Sequence, residues 1–246
     1  MDTVTGEIMH QGSTHRREVW MKNLVLRLMM IAAVWGLLAG AGAAQEAGTG
    51  RVAGVIDVQK ARVKTRGAKS FKDVVVYLEP TAPDVYTPPA GHAVMDQRGL
   101  VFIPHVMAVQ QGTTVDFLNS DNDRHNVYFL HDETGRTLDI GTWGPGEAVS
   151  HTFKEPGLVI VLCQLHLEMA AHLLVLETPF FSVAEIDAET QRATYEIRDV
   201  PAGNYVLKAW HKKLKMKSGA VGVTVVAGET ATADFAITRT KYAEKQ

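Results

Sequence analysis

After its first 45 residues this chain shows almost no helical periodicity; what recurs is a short apolar segment followed by turn residues. Segments 51–58, 73–79, 100–103, 113–118, 126–130, 149–153 and 158–162 are rich in Val, Leu, Phe and Tyr. Gly99, Gly112, Asn119-Ser120-Asp121-Asn122, Gly144-Pro145-Gly146 and Pro156-Gly157 separate them. Short strands at this spacing predict a β-sandwich or barrel, an all-β fold. Residues 80–92 hold Pro80, Pro83, Pro88, Pro89 and Gly91 and read as a loop. A second strand set follows Thr178-Pro179, over 180–186, 194–197, 205–210, 220–226 and 231–237, with a turn at 199–204. A piece of about 60 residues is near the small end for independent folding, so it is expected to pack against the first. The predicted organisation is therefore residues 1–44 as a targeting segment, 45–177 as a first sandwich, and 178–246 as a smaller second one.

The targeting segment rests on composition. Arg16, Arg17, Lys22 and Arg27 precede an apolar run over 28–38, then small residues 39–44 and polar Gln45-Glu46. That is the layout of a secretory signal peptide, and the apolar run is too short to span a bilayer comfortably. No cysteine lies near the cleavage point, which excludes a bacterial lipid anchor. Met21-Lys22 makes a more ordinary start than Met1, while Arg16-Arg17-Glu18-Val19-Trp20 has a twin-arginine look. Either start gives a mature protein beginning near Gln45, periplasmic or secreted, with no membrane span. Removing four basic and three acidic residues leaves 21 against 24, a net charge of −3, which offers nothing to nucleic acid.

Export makes the cysteine count informative. Cys163 is the chain's single cysteine, so no intramolecular disulfide can form. A free thiol is an oxidation liability outside the cytosol, and ligation to a metal is a good reason to keep one. Cys163-Gln164-Leu165-His166-Leu167-Glu168-Met169 offers a thiolate, an imidazole and a thioether at three-residue intervals, directly after an apolar strand. Soft sulfur with imidazole suits copper; two histidines, one cysteine and a weak axial methionine form the electron-transfer arrangement. A structural zinc site would use more Cys or His and no Met. The second imidazole is His125, which follows the polar turn Asn122-Asp123-Arg124 and opens a strand. Asn126 is placed to hydrogen-bond across to the Cys163 loop and fix it. Singly, each residue has a plain reading as core or surface. Their conjunction points to one copper per chain on His125, Cys163, His166 and Met169.

The runs Phe102-Ile103-Pro104, Gly112-Thr113-Thr114-Val115-Asp116-Phe117 and His125-Asn126-Val127, followed by the Cys–His–Met loop, resemble the plastocyanin and azurin family of cupredoxins. Among these the chain looks most like periplasmic cupredoxin-domain proteins of the methylamine-utilisation-like kind, over about residues 51–177. Residues 199–203 with Tyr205 look like a carboxypeptidase-regulatory-like β-sandwich, a weaker resemblance. The family implies a Greek-key β-sandwich with copper at one end.

From the ligand set follow one-electron transfer, with a periplasmic redox protein such as a cytochrome c as transient partner, and, as the alternative, copper storage, delivery or sensing. Copper oxidases and nitrite reductases need further copper sites, usually built from His-x-His, which this chain lacks, so it is not expected to be an enzyme. His105 is read as structural, with a role in an additional metal site as the alternative, and His172 as no ligand. His92, His131, His151 and His211 are read as surface or locally bonded residues, and 212–217 as a solvated basic hairpin, with a docking patch for an acidic partner as the alternative.

Overall fold

In the computed structural model, residues 48–59 and 72–239 are described, and the expected signal peptide lies outside them. Among the described residues every regular element is a strand. In chain order these are β1 (Thr49–Gln59), β2 (Asp73–Pro80), β3 (Ala93–Gln97), β4 (Phe102–Ile103), β5 (Val106–Gln110) and β6 (Thr114–Asn119). Next come β7 (His125–His131), β8 (Thr137–Trp143), β9 (Ala148–Thr152), β10 (Gly157–Leu162), β11 (Ala170–Leu176) and β12 (Phe181–Glu185). The last are β13 (Arg192–Pro201), β14 (Gly203–Trp210), β15 (Leu214–Met216), β16 (Val221–Val225), β17 (Thr230–Thr232) and β18 (Phe235–Arg239).

These strands form four sheets. Two of them, β4-β3-β6-β9 and β5-β11-β10-β7-β8, are built from the continuous stretch β3 to β11. Their facing sides enclose one core, with Met95, Phe117, Phe129, Phe153, Val161 and Leu173 among its members. The chain crosses between the two sheets repeatedly, which is how a sandwich of nine short strands avoids long loops.

The other two sheets correct the expected division at residue 178. β1 pairs with β13, β17 and β18, and β2 lies between β12 and β14. The strands over 51–58 and 73–79 therefore belong with the C-terminal strands, and Val52, Ile56, Val74, Val76 and Leu78 share a core with Leu207, Val225 and Ile237. This second sandwich is not the smaller one: it too has nine strands, and the β3–β11 sandwich is inserted into it between β2 and β12. Because β2 and β12 are antiparallel neighbours, with Phe181 opposite Tyr77, the insertion leaves and rejoins the sheet at adjacent points.

The two sandwiches also meet face to face. Alternate side chains of β2 point opposite ways. Val74, Val76 and Leu78 fill one core, while Val75 and Tyr77 pack with Val106, Leu174, Leu176 and Trp210 between the sandwiches. In β11, Ala171, Leu173 and Val175 face the inner core and Leu174 and Leu176 the joint. Strands buried on both faces read as unbroken apolar runs, as Val-Val-Val-Tyr-Leu and Leu-Leu-Val-Leu do here.

Smaller differences have local causes. The Lys-rich segment 212–217 is not wholly solvated: its lysines are exposed, but Leu214 and Met216 turn inward from β15, which pairs with β18. Tyr205 donates its hydroxyl to the Pro201 carbonyl at 2.9 Å, fastening the tight turn between β13 and β14.

Candidate metal centre

The site forms at one end of the β5-β11-β10-β7-β8 sheet. β10 runs antiparallel to β7 with Leu162 opposite Tyr128, so Cys163 comes level with the start of β7, where His125 and Asn126 sit. β10 and β11 are hairpin partners, and residues 163–169 are their connection. The Met169 amide donates to the His166 carbonyl at 2.9 Å and the Cys163 amide to the Met169 carbonyl at 3.4 Å, which draws the connection into a closed loop.

That loop brings three of the expected residues together. Nδ1 of His166 lies 3.1 Å from Nδ1 of His125 and 3.8 Å from Sγ of Cys163. One ligand atom from each of the three falls within 4.8 Å of the others. Donors sharing one ion through bonds of about 2.0–2.3 Å lie about 3.3–3.8 Å apart, so the group fits a single metal. His125 has no exposed surface, Cys163 is 3% exposed and Met169 1%. Met169 joins the same buried cluster as Cys163. Its backbone closes the ligand loop, so the fourth expected residue lies at the same end of the sandwich.

The surroundings hold these side chains from outside. Asn126 accepts the Gln164 amide on Oδ1 at 3.2 Å, while its Nδ2 donates to Asp139 Oδ1 at 2.8 Å and to the Gly141 carbonyl at 3.0 Å. It thus ties the residue after Cys163 to β7 and β8, the bond across to the loop that the sequence suggested. Two residues went unnoticed in the sequence. Asp121 Oδ2 lies 2.9 Å from His125 Nε2, and Asn119, fully buried, donates to the carbonyls of Asp123 (2.8 Å) and Trp143 (3.2 Å). Both were legible only as turn formers, since a four-residue spacing inside a loop implies no contact. Burial opposes ionisation of Asp121, but donors from Leu100, Gly99 and His125 outweigh it and hold the carboxyl below the usual range.

The remaining histidines lie elsewhere. His92 pairs with Asp116 at 2.9 Å, and His131 Nε2 is 3.3 Å from the Pro156 carbonyl. His151 packs on the rings of Phe129 and Phe153. His211 is buried rather than superficial, and its Nδ1 accepts the amides of Lys213 (2.9 Å) and Leu214 (3.0 Å).

His172 sits on β11 between the ring of His105, 5.5 Å away, and that of Trp210, also at 5.5 Å. Burial, then the charges of Lys212 and His105, push its pKa down to about 4. Because the unfolded imidazole titrates near 6.5, the unfolded chain binds the extra proton between about pH 6.5 and 4, and stability falls as pH drops through that window. The expected loss is about 3 kcal/mol from this group. Urea unfolding at pH 7 and pH 4.5 should show it, and His172→Gln should flatten it. An unchanged slope in the variant would assign the acid sensitivity elsewhere.

Residues 90–176 match the family described as copper binding proteins, plastocyanin/azurin family. A plastocyanin A'/A'' of Nicotiana tabacum is 32% identical over 80 residues, which span 29% of this chain and 81% of that protein. A chloroplastic plastocyanin of Fritillaria agrestis is 36% identical over 76 residues, 27% of this chain and 46% of that one. Among solved structures, a Cu-containing nitrite reductase from Thermus scotoductus is similar at 25% identity and a TM-score of 0.34, over 41% of this chain and 26% of the enzyme. The chain thus spans under half the length of the Fritillaria protein and about a quarter of the reductase. The family match begins at residue 90 rather than near 51, in keeping with β1 and β2 lying in the other sandwich. With the His–Cys–His group inside the matched region and most of the tobacco plastocyanin's length covered, this chain belongs to the plastocyanin/azurin family of copper-binding proteins, with copper as its cofactor.

Proposed function

We propose that the chain is a periplasmic one-electron carrier holding one type 1 copper on His125, Cys163, His166 and Met169. The observation that carries this reading is the closure of the site: His125, Cys163 and Met169 are shielded from water. A catalytic metal centre keeps an open position for substrate. Three buried side chains with one half-buried imidazole leave room for an electron and little else, which argues against an enzyme. Copper when bound supplies the redox couple. Cys163 would give it the main covalent bond, His125 and His166 imidazole nitrogens, and Met169 a weak thioether contact.

His166 is the half-buried member of the group, and its neighbours Leu165 and Leu167 are exposed at 54% and 87%. Exposed leucines on either side of a half-buried imidazole suit brief docking of a redox protein such as a c-type cytochrome. Export to the periplasm is supported by the basic-then-apolar N-terminus and by the lone thiol.

Two measurements test the assignment together. A carrier of electrons should titrate reversibly by one electron and retain copper against a chelator in both oxidation states. Rapid loss of Cu(I) to the chelator would instead favour a storage or delivery role. Replacing Met169 by Leu should keep metal and colour while raising the potential, because it removes a donor that favours Cu(II). An unchanged potential and spectrum would remove Met169 from the ligand set.

A further inference from the structure

His125 is the most enclosed of the expected ligands, and its ring is gripped from behind. Nδ1 faces His166, while Nε2 lies 2.9 Å from Asp121 Oδ2. An ionised carboxylate accepts and cannot donate, so the proton of the neutral ring sits on Nε2 and Nδ1 presents its lone pair to the site.

Asp121 is itself fixed by backbone. Its Oδ1 accepts the Gly99 amide at 2.5 Å and its Oδ2 the Leu100 amide at 3.0 Å. Its own amide donates to Asn119 Oδ1 at 3.0 Å. Those amides belong to the turn between β3 and β4, where Leu100 takes a φ of 59°, a region costly for a residue with a side chain. The carboxylate thus joins that turn to His125, in surroundings where its side chain is 15% exposed and only partly screened by water.

We propose that Asp121 is a positioning residue that sets the copper potential: it locks the His125 tautomer, makes Nδ1 a stronger donor, and holds a negative charge beside the metal. This rests on the copper reading above. Carboxylate–histidine–metal arrangements raise ligand basicity, and losing the outer partner typically costs about 10–100-fold in metal affinity. A nearby anion also favours the more positive oxidation state. Both effects stabilise Cu(II) over Cu(I), so Asp121 should hold the potential low.

The test compares copper-loaded wild type with Asp121→Asn, with Asp121→Ser as a second neutral variant should the first fail to fold. Asp116→Asn is the control, because it removes a carboxylate charge from the same sandwich where the partners are His92 and Ser150 rather than His125. Potentials are read by redox titration at the thiolate-to-copper band, and pulsed EPR reads the remote nitrogen of His125. A tenfold weakening of Cu(II) relative to Cu(I) is expected in the neutral variants, an upward shift of about 59 mV for a one-electron couple. The EPR coupling should change with it, while Asp116→Asn moves neither. Equal shifts in Asp116→Asn and Asp121→Asn would reduce Asp121 to one charge among several and overturn its positioning role. An unmoved potential in the neutral variants with the band intact would overturn the proposal. Absence of the band from copper-loaded wild type would overturn the copper reading itself.

Discussion

Cys163→Ser should abolish the intense thiolate-to-copper absorption of the copper-loaded protein while leaving the fold intact. The thiolate is the one soft anionic donor in the group, and a serine hydroxyl stays protonated at neutral pH and binds copper poorly. Copper affinity should fall by more than the about 10–100-fold that loss of an outer partner costs. Cys163 is buried among Val161, Met169 and Ala171, and serine is close in volume, so far-UV circular dichroism should be unchanged. His125→Ala should likewise lose or grossly alter the site, because it removes a fully buried donor and strands Asp121. Metal analysis of the wild type should give one copper per chain. A Cys163→Ser variant that kept the band would sink the assignment.

A chain ending at Thr178 should fail to fold as a soluble monomer. It retains β1 and β2 but deletes every strand they pair with, namely β12, β13, β14, β17 and β18. Of the core that these sheets share, only Val52, Ile56, Val58, Val74, Val76 and Leu78 would remain. Two orphaned apolar strands present open edges, the usual template for aggregation. The loss for that sandwich exceeds the whole 5–15 kcal/mol by which a domain is typically stable. Residues 90–178 alone, which contain the stretch 90–176 matching the copper family, keep both sheets of the inserted sandwich and should still bind copper with the same spectrum. They should be poorly soluble, because Val106, Leu174 and Leu176 lose their cover. Size-exclusion chromatography and copper titration of both fragments check this. A monomeric, cooperatively unfolding chain ending at Thr178 would contradict the inserted topology.

By itself the sequence marked most of the strands, though not β3, β5 or β8, and the candidate ligands, because both are written locally. Alternating or continuous apolar runs mark strands whatever they pair with, and Cys163, His166 and Met169 share one short loop. His125 was legible because few exported chains keep one thiol without a metal. What only the tertiary structure decided was partnership. Nothing in Asp73-Val74-Val75-Val76 says that its neighbours lie a hundred residues away in β12 and β14, since a strand's pattern records burial and not the identity of the covering strand. For that reason a chain-order division at 178 split one sandwich between two expected domains. Asp121 escaped notice on the same ground: its bond to His125, and through Gly99 and Leu100 to another strand pair, depends on how loops from separate sheets converge. The burial of His172 against Trp210 arises between sandwiches, where no local signal reaches.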